Sequence, residues 1–171
     1  MNTTFYGSVV EATAYFSARL HEQAWTNAAV EDRAKALLAA TQLIDTLNYK
    51  GNKAAVYALL ETNSAATSED VRAAELSQAL EFPRGADTEV PEAIRQACYE
   101  IAYSLLDGKN PELELEALGV SSQSYSSVKT AYDRQQVPIE HTVNMIPSAL
   151  AWRLIRPFLR GSETVRLSRV S

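Results

Sequence analysis

The stretch Leu80-Glu81-Phe82-Pro83-Arg84-Gly85-Ala86-Asp87-Thr88-Glu89-Val90-Pro91-Glu92-Ala93-Ile94 interrupts a chain otherwise rich in helix signals, and its reading decides the architecture. Proline lacks an N–H and pushes the residue before it out of the helical region, so Phe82 is expected to be extended. Gly85 permits a turn closed to residues with a Cβ. Pro91 suits the first position of a new helix, where its missing N–H would have no intrahelical partner anyway. The stretch therefore predicts a rigid helix–corner–helix joint.

Downstream of the corner, a helix opened by Pro91 places Ile94, Ala97, Cys98, Ile101, Ala102 and Leu105 on one face and ends at Gly108. Pro111 to Gly119 reads as one short helical piece. Ser121–Ser127 is serine-rich, and Val128-Lys129-Thr130-Ala131-Tyr132 has the β-branched and aromatic bias of a strand. Val137, Ile139, Val143 and Met145 alternate with polar residues, with His141 among them. One strand is expected there, or a hairpin turning at Asp133–Gln136. Pro147 opens a last helix through Leu150, Trp152 and Leu154, kinked or ended by Pro157, and the tail from Gly161 reads as extended.

Upstream, Ser8-Val9-Val10-Glu11 has the form of a capping box. The helix it opens carries Ala12, Tyr15, Phe16 and Leu20 on one face and ends near Trp25. A second helix runs from about Asn27 to Asn48, with Glu31 and Asp32 in its first turn and an apolar stripe of Ala34, Leu37, Leu38, Thr41, Ile44 and Leu47. Gly51 is a plausible stop. In the alanine-rich stretch from Lys53 to Ala79, Thr67-Ser68-Glu69-Asp70 reads as a helix start after a loop around Thr62–Ala66. The fold class is mainly α: a small helical bundle with a protruding β-strand or hairpin and an extended C-terminal tail. One structural domain is expected, divided into a helical core (1–120), a β extension (121–146) and a C-terminal helix with basic tail (147–171).

At 171 residues, with 46% hydrophobic and 22% charged residues, the chain is long enough to bury a core without metal or disulfide staples. Its single cysteine cannot form an internal disulfide, which suits a reducing compartment. The N-terminus lacks the pattern of a secretory signal and no apolar run has the length of a membrane span, so a soluble, intracellular protein with no membrane partner is expected. The net charge of −5 is uneven. Arg153, Arg156, Arg160, Arg166 and Arg169 stand against Glu163 alone, giving the C-terminal stretch +4 and the rest −9. Such a tail suits an acidic partner, because guanidinium pairs carboxylate or phosphate in a bidentate fork.

Signals for chemistry are sparse. His21 and His141 are the only histidines, and neither has a metal-ligand partner at helical spacing. Cys98 lies on an apolar stripe, where a thiol behaves as a small hydrophobe. Glu112, Glu114 and Glu116 read as the solvated face of a short helix, and the scattered glycines form no phosphate cradle. No catalytic residue, metal or cofactor is expected, and no enzymatic activity. Asp45, at the edge of the second helix's stripe, must be solvated or paired. Arg84 in the corner is the expected partner, and Arg33 is a second candidate for tying down nearby chain.

Taken in order, "FYGSVVEATAYFSARLHEQAW", "EDRAKALLAATQLIDTLNYKG", "LEFPRG" and "VPEAIRQACYEIAYSLL" resemble the head–tail connector, or adaptor, proteins of tailed bacteriophages, some of which are labelled DnaT-like. Tyr15 and Phe16 match the family's Tyr-Phe pair, and Trp25 the tryptophan after it. Arg33 through Ala40-Thr41 to Ile44-Asp45 matches its arginine-to-aspartate helix, and Phe82-Pro83-Arg84 its aromatic-Pro-Arg corner. "VKTAY" and "LIRPFL" extend the likeness. Phe82 stands where that corner commonly has tryptophan, and Asn52–Ala79 is longer than the usual connection.

The resemblance implies a structural virion protein, made in the host cytoplasm, that forms a homo-oligomeric ring, commonly twelvefold. The ring would sit between the portal protein and a tail or nozzle protein and prolong the channel through which the genome is ejected. Double-stranded DNA would pass without sequence specificity. Within that frame Asp45, Phe82, Pro83 and Arg84 form a structural corner, and Tyr125, Val128, Tyr132, Val137 and Ile139 a subunit interface by strand addition. The five C-terminal arginines are the portal-binding tail. Two other readings fit the residues: a single-stranded nucleic-acid-binding module, with Tyr125 and Tyr132 near Lys129 and Arg134 as stacking platforms, and a small helical scaffold protein.

Overall fold

Helix α6 (Glu92–Leu106), which starts immediately after Pro91, is the centre of the molecule. The computed structural model describes residues 5–118, 122–125, 128–131 and 140–161. The protein is mainly helical. Before α6 come α1 (Val9–Ser17), α2 (Gln23–Thr26), α3 (Val30–Asp45), α4 (Ala54–Thr62) and α5 (Ser68–Ser77). After it come α7 (Pro111–Leu118), strands β1 (Ser122–Tyr125) and β2 (Val128–Ala131), α8 (Glu140–Val143), α9 (Ala149–Ile155) and a 3-10 turn over Arg156–Phe158.

Ile94, Ala97, Cys98, Ile101 and Ala102 of α6 are fully buried, at the spacing expected of its apolar face. They pack chiefly against α3 and α9. From α3 come Leu37, Ala40, Thr41 and Ile44, and from α9 Ala151 and Ile155. Alanines on all three helices allow close approach of the backbones, and each buried Ile or Leu contributes about 1.5–3 kcal/mol through lost apolar exposure. Because Ile146, Ala151 and Ile155 belong to the same cluster, the C-terminal helix is part of the helical body. No described helix is long and apolar enough to cross a membrane.

Three local expectations are corrected. The first helix does not run from Ser8 to Trp25. It ends at Ser17, His21 takes φ +60°, and Leu20 is 82% exposed. Phe16 and Trp25 are nine residues, or two and a half turns, apart, so one unbroken helix would face them to opposite sides. The break lets α2 fold back, and the two rings meet with centroids 5.0 Å apart, both buried. At the start of α1, Ser8 accepts the Glu11 N–H as expected, but the Glu11 carboxylate takes the serine hydroxyl rather than the backbone N–H. The reciprocal capping box lies at Thr67 and Asp70 instead, opening α5.

The second correction concerns Val143 and Met145, expected in a strand. Glu140–Val143 is a helical turn, Val143 is 56% exposed, and Met145 has φ +57°. What is buried is Thr142 and Ile146, while Asn144 between them is exposed; a strand would put all three on one face, a helical turn only the two that are four apart. A reciprocal pair closes that turn: the Ile146 N–H donates to the His141 carbonyl, and the His141 Nδ1 lies 2.8 Å from the Ile146 carbonyl and donates to it. Third, the antiparallel partner of Val128–Ala131 is the serine-rich Ser122–Tyr125 before it, with Tyr125 opposite Val128. Tyr132, Val137, Ile139 and the reversal expected at Asp133–Gln136 lie outside the described residues.

The alanine-rich stretch resolves into a hairpin of α4 and α5, which pack chiefly on each other. At the chain's other crowded turn, Gly7 has φ +81°, and a Cβ there would stand 2.1 Å from the Tyr99 hydroxyl oxygen. Gly7→Ala is expected to lower stability by about 2 kcal/mol, seen as a lower denaturant midpoint with an unchanged slope.

Candidate functional site

The Phe82-Pro83-Arg84 corner is held by two sets of backbone bonds that meet on one connecting segment. On one edge the Ala54 N–H donates to the Pro83 carbonyl (3.0 Å) and the Gly85 N–H to the Asn52 carbonyl (2.9 Å). On the other edge the Lys50 N–H donates to Phe158 and the Arg160 N–H to Asn48, each at 2.9 Å. Residues 48–54 are thus stitched to the corner and to the C-terminal segment at once. The Phe82–Pro83 bond is cis, and Gly85 takes φ +61°. Phe82 is buried in a cage of aromatic edges, with Tyr49, Phe158 and Tyr6 at centroid distances of 4.7, 5.6 and 6.0 Å. Edge-to-face contacts of this kind add to simple area burial.

The expected pairing of Asp45 with Arg84 does not form. Asp45, the last residue of α3, accepts the hydroxyl of Tyr6 and the backbone N–H of Glu81 at 3.4 Å. Tyr6 is fully buried, and its hydroxyl oxygen also accepts the Phe82 N–H at 3.2 Å. Arg84 turns the other way. It meets the Glu81 carboxylate at 2.5 Å and donates to the carbonyls of Lys50 and Gly51. Lys53 holds the other Glu81 oxygen at 3.2 Å. Asp45 and Arg84 are therefore joined through Glu81, one on its main chain and one on its side chain. The guanidinium fork suits two carbonyls and a carboxylate better than a single carboxylate already engaged elsewhere.

Burial pushes the Asp45 carboxyl above its ordinary range, although the Tyr6 hydroxyl and Glu81 N–H pull the other way. The Tyr6 and Tyr49 hydroxyls are pushed far above the usual phenol value by burial, and then by the nearby Asp45. Both stay protonated, so Tyr6 always has a proton to give Asp45. Arg33, the second arginine singled out, donates to the carbonyls of Ala28 (3.1 Å) and Thr26 (2.8 Å) and lies over Trp25. It ties the α2–α3 connection.

A second polar centre was missed by sequence reasoning. Glu100 on α6 is 2% exposed and receives Arg19 at 2.5 Å and the Tyr15 hydroxyl at 2.8 Å. The Arg19 guanidinium also lies 4.8 Å from the Tyr103 ring centre, a cation–π distance. Burial, then the bond to Glu100, pushes the Tyr15 hydroxyl up to about 12. A signal existed: in "ACYEIAY" Glu100 is the one charged residue among apolar and aromatic neighbours, the mark of a helix enclosed almost all round, and every residue from Ala97 to Ala102 is buried.

Of the C-terminal arginines, Arg153 is exposed, Arg156 is exposed and 3.7 Å from Glu140, and Arg160 borders a cleft of about 470 Å³ beside the corner. Arg166 and Arg169 lie outside the described residues. Tyr49, Lys53, Val71, Glu75 and Arg84 also line that cleft. Glu112 and Glu116 are exposed and Glu114 half-buried. No cluster of His, Cys, Asp and Glu among the described residues is arranged to hold a metal.

Cys98 is fully buried, and burial pushes its thiol up to about 12 despite the Thr41 hydroxyl at 3.5 Å. The native chain is expected to resist a maleimide reagent at pH 8 and to react only as fast as it unfolds, measured by mass spectrometry across a denaturant series. The arrangement at the corner can brace backbone: each of its charged groups is engaged to another segment of the chain. Compared with protein-family models, with curated proteins and with solved structures, the chain has no match.

Proposed function

We propose that this protein is a structural subunit of a bacteriophage head-to-tail adaptor, a ring between portal and tail that prolongs the DNA channel. The observation that supports the reading most is the stitching of the C-terminal segment to the Phe-Pro-Arg corner through residues 48–54. Residues 158 and 160 are braced there, which suits the root of a docking arm. The corner fixes where the arm begins, and Arg153, Arg156 and Arg160 give its root the charge to meet an acidic portal surface.

In this reading the subunits associate into a homo-oligomeric ring, commonly twelvefold, located in the virion at the head–tail interface. The segment carrying Tyr125, Val128, Tyr132, Val137 and Ile139 would add a strand to the neighbouring subunit. The acidic body lets double-stranded DNA slide past, because the phosphate backbone is itself strongly negative. The role is structural rather than enzymatic.

The test is cryo-electron microscopy of the full chain with the portal protein of the same phage, alongside the chain alone. A ring seated coaxially on the portal is the expected result. If no complex forms, and the chain alone retards single-stranded DNA at low salt and releases it at high salt, the nucleic-acid-binding reading replaces this one.

A further inference from the structure

The α4–α5 hairpin is fastened at one end. Gln78, just past α5, donates its side-chain amide to the carbonyls of Leu80 (3.0 Å) and Pro83 (2.8 Å) and accepts the Ala55 N–H (3.1 Å). Lys53 donates to the Gln78 carbonyl at 3.2 Å. Beyond that base the hairpin keeps to itself. Among the described residues, the hydrogen bonds of residues 58–77 stay within the hairpin, and none of these residues has an ion pair. No residue of α5 is buried, and α4 buries only Val56. An element held at its base with so little buried surface moves as a unit at low cost.

The cleft of about 470 Å³ beside the corner has hairpin residues on its lining and body residues with them. Val71 and Glu75, four apart and so on one side of α5, come from the hairpin; Leu47 and Arg160 come from the body. Glu75 and Arg160 are both exposed, and neither has an ionic partner among the described residues. The other charges lining the cleft are taken, because Glu81 holds Lys53 at 3.2 Å and Arg84 at 2.5 Å. Arg72, three residues before Glu75, makes no ion pair with it either. Glu75 also stands in the last turn of α5, where the helix dipole disfavours a negative charge and the helix supplies no basic residue. Among the charged groups that line the cleft, Arg160 is the cation left to answer it.

We propose that the hairpin is a clasp: it swings on its Gln78 base across the cleft, so that Glu75 meets Arg160 of the same chain and Val71 covers Leu47. The pair is exposed and contributes modestly, which suits a contact that opens and closes. Arg160 also begins the arginine-bearing end of the chain, with Arg166 and Arg169 beyond it. The closed clasp therefore occupies the first cation of that end, and it competes with any acidic partner for the same guanidinium. The contact lies within one chain and does not depend on the adaptor reading.

The test is amide hydrogen exchange, read by mass spectrometry, of the full-length native chain, Glu75→Gln, Arg160→Gln and the double variant. Each single variant is expected to speed exchange in α5 about twofold to fivefold with α6 unchanged, and the double variant to be no faster than either single one. Glu75→Arg alone is expected to exchange faster than the native chain, and Arg160→Glu added to it to restore protection. The sign is decisive. Without the clasp, Glu75→Gln relieves an unfavourable charge at the end of α5 and slows exchange there, and Arg160→Gln leaves α5 untouched. Slower or unchanged exchange in either single variant, or additive effects in the double one, overturns the proposal. Portal docking by chains whose α5 exchange ignores both positions would overturn the clasp and leave the adaptor reading standing. A coupled pair in a chain that never docks would do the reverse.

Discussion

Arg19→Ala is expected to lower the stability of the protein by about 3 kcal/mol. The side chain removed is one-third exposed, but its partner is not: Glu100 keeps only 3% side-chain exposure. Losing the guanidinium strands a carboxylate inside the bundle with the Tyr15 hydroxyl as its remaining donor. It also strips the cation from the Phe16 and Tyr103 faces. Glu100→Gln should cost about 1 kcal/mol, because the amide oxygen can still accept from Tyr15 and the arginine can turn towards water. Replacing both, as Arg19→Met with Glu100→Leu, should be close to neutral, since an apolar pair of similar volume avoids the desolvation of two charges. Urea midpoints for the four proteins check the order. Equal losses for Arg19→Ala and Glu100→Gln would show that packing, not the stranded charge, sets the effect.

The second large effect is expected at the corner. Tyr6→Phe removes one hydroxyl that serves two neighbours, the Asp45 carboxylate as acceptor and the Phe82 N–H as donor. Both are left short of a partner where water has little access, and a loss of about 2–4 kcal/mol is expected. Asp45→Asn is expected to cost less than about 1 kcal/mol at neutral pH, because both bonds to Asp45 arrive at the same oxygen, Oδ1, which an amide oxygen can replace. The two variants separate the hydrogen bonds from the charge.

The charge shows itself in the pH dependence. Burial raises the Asp45 pKa in the folded chain above the ordinary 3.8. In the window between those two values the folded state binds the proton more strongly, so stability falls as pH rises through it. Lowering the pH from neutral should therefore raise the stability of the native chain relative to Asp45→Asn, with the gain complete below the ordinary carboxylate value. Denaturant midpoints of the two proteins from pH 7 to pH 3.5 read this directly. A relative loss on acidification would mean that the Tyr6 and Glu81 bonds outweigh burial.

How much of this was legible beforehand differs by element. The corner, the α6 stripe and the start of α5 could be read because each depends on residues close in sequence: Pro83 and Gly85, the spacing of Ile94, Ala97, Cys98 and Ile101, the Thr67–Asp70 box. The strand expected over Val143 and Met145 failed because a short alternation of apolar residues is also compatible with a helical turn, and burial of Thr142 and Ile146 chose the turn. The first helix was drawn too long because Leu20 continues a helical period that the docking of Trp25 on Phe16 overrides.

The candidate site divides in the same way. Asp45 was marked as a polar residue at the edge of an apolar stripe and Arg84 by its place in the proline corner, and both do lie at the corner. Their partners were not marked. Tyr6 reaches Asp45 over 39 positions of chain, and Arg84 reaches Lys50 and Gly51 over more than 30. Arg19 meets Glu100 over 81. The sequence by itself determined which residues bend, cap and face inward, since steric limits and helical periodicity act over a few residues. Only the tertiary structure decided which buried polar group answers which, because in a closed core that choice is made by whichever segments are packed together to exclude water.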